Sequence, residues 1–161
     1  MTLTGLLVFS AAYALAVASP GPGIAAVVAQ VLGRGIRSAP PQIAGILVGD
    51  LIWYALAASG LAALAHSFEA IFTAVKWVGV VYLLYLAWKM WTTPVHTIAT
   101  EAVHTGVSNA QFFLSGLTLT LGNPKAIAFF LALLPAIIDL QAITLVGFAQ
   151  VALLILVILP S

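Results

Sequence analysis

Three charged side chains stand inside otherwise apolar runs of this chain: Asp50, Lys76 and Lys125. At a membrane helix centre each would cost roughly 2.5–3.5 kcal/mol, so such residues face a cavity or a partner. Two further patterns carry chemistry through the backbone. Ser19-Pro20-Gly21-Pro22-Gly23 and Gly122-Asn123-Pro124 both fall within apolar runs. Proline removes a donor and clashes with the preceding turn, and glycine adds freedom, so both sites should break a helix. In hydrocarbon the freed carbonyls need partners from protein or water. Half-helix ends also carry dipole charge and can hold a charged solute. One such break would be a simple proline kink; two, each in the first helix of a three-helix group, carry more information.

The elements that would position these residues are read from the apolar runs. Of the 161 residues, 63% are hydrophobic and 6% are charged. A soluble domain carries roughly 25% charged residues, so this chain could not cover a water-facing surface. Five runs approach the ~20 residues of a spanning helix. They cover residues 3–32, 41–64, 68–91, 110–137 and 142–159. The polar stretch 92–109 is a loop. The expected fold is all-α, a polytopic transmembrane helix bundle in one domain over residues 1–161. Gly45 and Gly49 form a G-x-x-x-G in the second run, which predicts close packing against another helix. A homo-oligomer contact through it stays open.

Pro22 and Pro124 lie 102 residues apart. Runs one to three (residues 1–91) thus read as one repeat and runs four onward (108–161) as its partner. An odd number of helices per repeat makes the copies inverted, the 3+3 architecture of many secondary transporters. The repeat implies a sixth helix from about residue 170, past Ser161, as in a truncated reading frame or fragment. Arg34, Arg37 and Lys89 set loops one and three on the cytoplasmic side and the N-terminus outside. Ala16-Val17-Ala18 resembles a signal-peptide cleavage site, but the first basic residue is Arg34, which favours an uncleaved first span. At 1.5 Å per residue, Asp50 sits about 14 Å and Lys76 about 18 Å from the cytoplasmic face, so the two are expected to pair. That pair is either a structural neutralisation or part of a binding site. Lys125 lies about 22 Å into its span; snorkelling toward an interface is the alternative for it, disfavoured because the residue follows directly on the helix break.

Several functions are excluded. A net charge of +1 offers no broad basic face for nucleic acid. There are no cysteines, so no disulfide, thiolate metal site or thiol redox chemistry. His66, His96 and His104 have no ligand spacing, and no metal is expected. No phosphate-binding glycine loop and no nucleophile–base pair appears, so neither ATP, an enzyme activity nor a cofactor is expected.

The motifs together resemble the LysE-type amino-acid exporter family, also called LysE/RhtB, over the whole chain. They are Ser19-Pro20-Gly21-Pro22-Gly23, Gly45-Ile46-Leu47-Val48-Gly49-Asp50, the stretch from Lys76-Trp77 through Trp88-Lys89, Phe112-Phe113-Leu114-Ser115-Gly116, Asn123-Pro124-Lys125-Ala126, Phe129-Phe130 and Leu134-Pro135. Each is weak alone; their order and spacing are specific. The resemblance implies a six-helix, multi-pass exporter of the bacterial inner membrane, secondary-active and driven by the proton gradient. It implies amino acids or close derivatives as substrates, with membrane lipid as the other partner. Pro20, Gly21, Pro22 and Gly23, with Asn123, Pro124 and Lys125, would line the pathway, joined by Asp50 and Lys76. A substrate carboxylate would meet Lys125 and the helix end after Pro124. Its ammonium would meet Asp50 or carbonyls freed near Ser19 and Pro20. Protonation of Asp50 is a candidate coupling step. The alternative is a non-transporting membrane protein, a structural subunit or a degenerate fragment, which the missing sixth span would favour.

Overall fold

A computed structural model describes residues 2–67, 108–140 and 143–160, and between them Trp77, Val81, Tyr85 and Trp88. Everything described is helix, turn or short connection, with no strand among the described residues. The elements are α1 (Leu3–Ala18), α2 (Pro22–Arg34), a 3-10 turn (Ile36–Ser38), α3 (Ala39–Ser67), α4 (Asn109–Leu121), α5 (Pro124–Ile137) and α6 (Leu145–Ile158).

Proline marks the starts of three helices here, while Pro135 lies inside α5. Pro22 opens α2 and Pro124 opens α5, at the position where a missing N–H costs nothing. Pro40 and Pro41 sit in the first turn of α3 for the same reason. Side-chain caps mark the other starts. Thr2 accepts from the Gly5 amide, and Thr144 from the Gly147 amide. Ser108 and Gln111 form a reciprocal capping box that satisfies two orphan donors of α4. Between α2 and α3 the chain reverses at Gly35, whose φ of 81° is open to glycine at no steric cost.

Both expected breaks are present. The axes of α1 and α2 differ by 52°, and those of α4 and α5 by 51°. By length and composition α3 can cross a membrane alone, and each bent pair can do so as one broken span. The run at 142–159 forms a shorter helix: the 14 residues of α6 rise about 21 Å against a hydrocarbon core of about 30 Å. The third run, with Lys76 and Lys89, and the polar stretch after it lie outside the described residues, apart from the four noted. Those four, Trp77, Val81, Tyr85 and Trp88, are helical, recur at three- and four-residue spacing, and are all exposed. Such spacing places them on one helix face.

The core gathers where α1, α3, α5 and α6 meet. Phe9, Tyr13, Tyr54, Phe130, Leu134, Val151 and Ile155 are essentially sealed. The Tyr13 ring stacks on Phe9 and tilts against Phe129 and Phe130, with centroids 5.6–6.2 Å apart. That spacing suits the ring quadrupoles. Tyr54 stacks on Phe148 at 4.6 Å and donates its hydroxyl to the Phe148 carbonyl. A second seam joins α3 to α4 and bears out the reading of Gly45 and Gly49 as a packing motif. Gly45 lies against the backbone of Phe113, Gly116 against the Gln42 carbonyl, and a Cβ on Gly49 would meet Thr120 at 2.7 Å. Small residues here let the two backbones touch.

Candidate functional site

The two breaks converge. Pro20 has no N–H for the Ala16 carbonyl, which instead accepts the Ser19 hydroxyl at 2.9 Å. Pro124 likewise leaves the Thr120 carbonyl without its helical partner. That carbonyl takes the Asn123 amide at 3.1 Å and the Trp53 indole N–H at 3.3 Å. Asn123 caps α5 by accepting the Lys125 amide at 3.0 Å. The Ser19 carbonyl, turned out of α1 where the chain changes direction, accepts the Lys125 ammonium at 2.8 Å. This bond ties break two to break one across 106 positions of sequence.

Around it lies a cavity of about 220 Å³. This is smaller than the ~300–1,000 Å³ of drug-sized ligand sites and suits a small solute. Its polar lining comes from Tyr13, Ser19, Asp50, Thr120, Asn123 and Lys125. Its apolar wall comes from α2 and α3, chiefly Ile24, Val27, Val28, Ile43 and Ile46, with Phe130 of α5. Gly21 and Gly23 are also on the lining. A Cβ on Gly21 would stand 3.4 Å from the Lys125 ammonium, in ordinary contact, so Gly21 lies directly beside that group. Pro20, Pro22 and Pro124 are exposed and absent from the lining; they shape the breaks without forming the wall.

Asp50 is buried, and its carboxylate accepts the Tyr13 hydroxyl at 2.6 Å. Asp50 and Lys125 line the same cavity, with no hydrogen bond between them among the described residues. Lys76, the partner expected for Asp50, lies outside the described residues. Sequence reading missed Tyr13, Thr120 and Trp53. Tyr13 gave one usable signal, a hydroxyl in a run of apolar residues that must find a partner when buried. Removing that hydroxyl leaves one carboxylate oxygen short of its donor. Tyr13→Phe is therefore expected to lower stability in detergent by about 1.5–3 kcal/mol, read from thermal or denaturant unfolding. An unchanged transition would show that the bond contributes nothing.

The chain matches the model of the family described as LysE type translocator over residues 14–159. It is 33% identical over 123 residues to the leucine efflux protein of Salmonella typhimurium, covering 76% of this chain and 58% of that protein. The leucine efflux protein of an Enterobacter species is 31% identical, with the same coverage of each chain. A Vibrio cholerae protein described as an uncharacterized membrane protein is 31% identical, over 75% of this chain and 58% of its own. The chain thus spans about 58% of the length of these curated relatives. No solved structure matches. Motif order, paired helix breaks and family match agree, and this membrane protein belongs to the LysE type translocator family.

Proposed function

We propose that this chain forms the solute-binding core of a secondary-active exporter of amino acids, with apolar ones such as leucine preferred, in the bacterial inner membrane. The observation that carries the reading is that both helix breaks and both charges, Asp50 and Lys125, meet in one cavity walled mainly by aliphatic side chains. An α-amino acid presents a carboxylate, an ammonium and a side chain. The site offers a cation, an anion with freed carbonyls, and an apolar wall. The leucine efflux relatives support the same solute class. Proton coupling through Asp50 and a 3+3 inverted repeat of six spans complete the proposal. The matched 51° and 52° bends support the repeat.

The test is intracellular amino-acid profiling of cells with and without expression of the chain, after loading with leucine-containing dipeptides. Expression is expected to lower the intracellular leucine pool and raise leucine in the medium. Identical pools, with the protein present in the membrane, would favour a non-transporting membrane protein.

A further inference from the structure

The Lys125 side chain does not bond the nearest acidic group. It bonds a backbone carbonyl. Resting on the amino-acid reading above, we infer that the Ser19 carbonyl is an ammonium subsite for which the side chain of Lys125 competes with the amine of the solute. Lys125 is a tethered competitor that the solute displaces, and its released ammonium then meets the solute's carboxylate.

Four observations lead there. In an unbroken helix the Ser19 carbonyl would accept from Gly23; here α2 begins at Pro22, and the carbonyl turns toward the cavity. The Ser19 hydroxyl does not contend for the place, because it folds back on Ala16. Gly21 stands beside both partners, so this side of the carbonyl carries no side chain: a Cβ built there would lie 3.4 Å from the Lys125 ammonium and 3.9 Å from the Ser19 carbonyl. Asp50, the other candidate for an ammonium, already accepts the Tyr13 hydroxyl. A lysine head group and an α-ammonium are both compact cations with three donors, so a carbonyl that holds one suits the other. A solute with both charges gains where one with an amine alone loses: it evicts Lys125 and re-satisfies it.

The test compares leucine with isopentylamine, which keeps the side chain and amine but lacks the carboxylate. Binding is measured by titration calorimetry on the purified protein. In wild type, isopentylamine must displace Lys125 without repairing it, so leucine binds more tightly. Lys125→Met removes the competitor. Isopentylamine is expected to bind at least about tenfold more tightly to this variant, the loss of one charged hydrogen bond as competitor, while leucine binds more weakly. Lys125→Arg keeps the charge and should hold isopentylamine at its wild-type affinity. Unchanged or weaker isopentylamine binding in Lys125→Met overturns the inference. Failure of wild type to bind leucine overturns the amino-acid reading instead, and a gain in amine affinity would still identify the subsite. Should Lys125→Met not fold, the wild type supplies the answer through cyanate labelling of Lys125, read by peptide mass spectrometry. Isopentylamine is itself a primary amine that cyanate consumes, so cyanate is kept in large excess over it; saturating isopentylamine should then accelerate labelling of the displaced side chain, and no acceleration overturns the inference.

Discussion

Asp50→Asn is expected to cut leucine export driven by a proton gradient by roughly 10–100-fold, the value of one interaction with a charged group. Asparagine keeps the size of the side chain and still offers an oxygen to the Tyr13 hydroxyl, so the Phe9–Tyr13–Phe129 aromatic stack is preserved. What is lost is the negative charge facing Lys125, and with it a group that can take up a proton. The measurement is efflux from leucine-loaded vesicles with the gradient imposed. Leucine–leucine exchange without a gradient, run in parallel, separates coupling from binding. Coupled efflux equal to wild type would remove Asp50 from the mechanism.

The second large effect is structural. Gly45→Leu is expected to abolish folded protein, because even the first added carbon would coincide with the Phe113 backbone of α4. A flexible side chain could move aside; a helix backbone cannot without opening the α3–α4 seam. Overpacking a closed contact costs about 1–3 kcal/mol and more when backbones must part, against a total stability of about 5–15 kcal/mol. The same opening would draw Asp50 and Trp53 on α3 away from Thr120 on α4, so the site would go with the fold. Size-exclusion profiles of detergent-extracted protein read the outcome. A monodisperse variant melting with wild type would show that α3 and α4 do not touch there.

The sequence makes some of this architecture plain and hides the rest, for physical reasons. The breaks at Pro20–Pro22 and at Asn123–Pro124 are legible because proline's missing N–H acts locally, whatever the surrounding fold. The Gly45–Gly49 seam is legible because a spacing of four places both on one helix face. Asp50 and Lys125 announce themselves through the cost of charge in an apolar run. Their partners are another matter. The expected pairing of Asp50 with Lys76 rests on depth alone, and Lys76 lies outside the described residues. The bond described for Asp50 reaches Tyr13 on α1, 37 positions away, a partner that depth along a rod does not point to. Lys125 finds a backbone carbonyl, a group every residue carries and no residue type advertises. The shortness of α6 was hidden too, since its apolar run extends beyond the residues that wind into helix.

Within α5, residues Phe129–Leu133 wind as a π turn, wider than the α-helix on either side. Such a turn stores a surplus residue inside a continuous rod. Rewinding it as ordinary α-helix would swing the chain beyond it by one residue's worth of rotation, about 100°. Phe129 and Phe130, which grip the Tyr13 ring, sit at the origin of that slack, and Lys125 lies one turn upstream. The π turn thus stands between the half of α5 that carries the cation and the half that packs against α1.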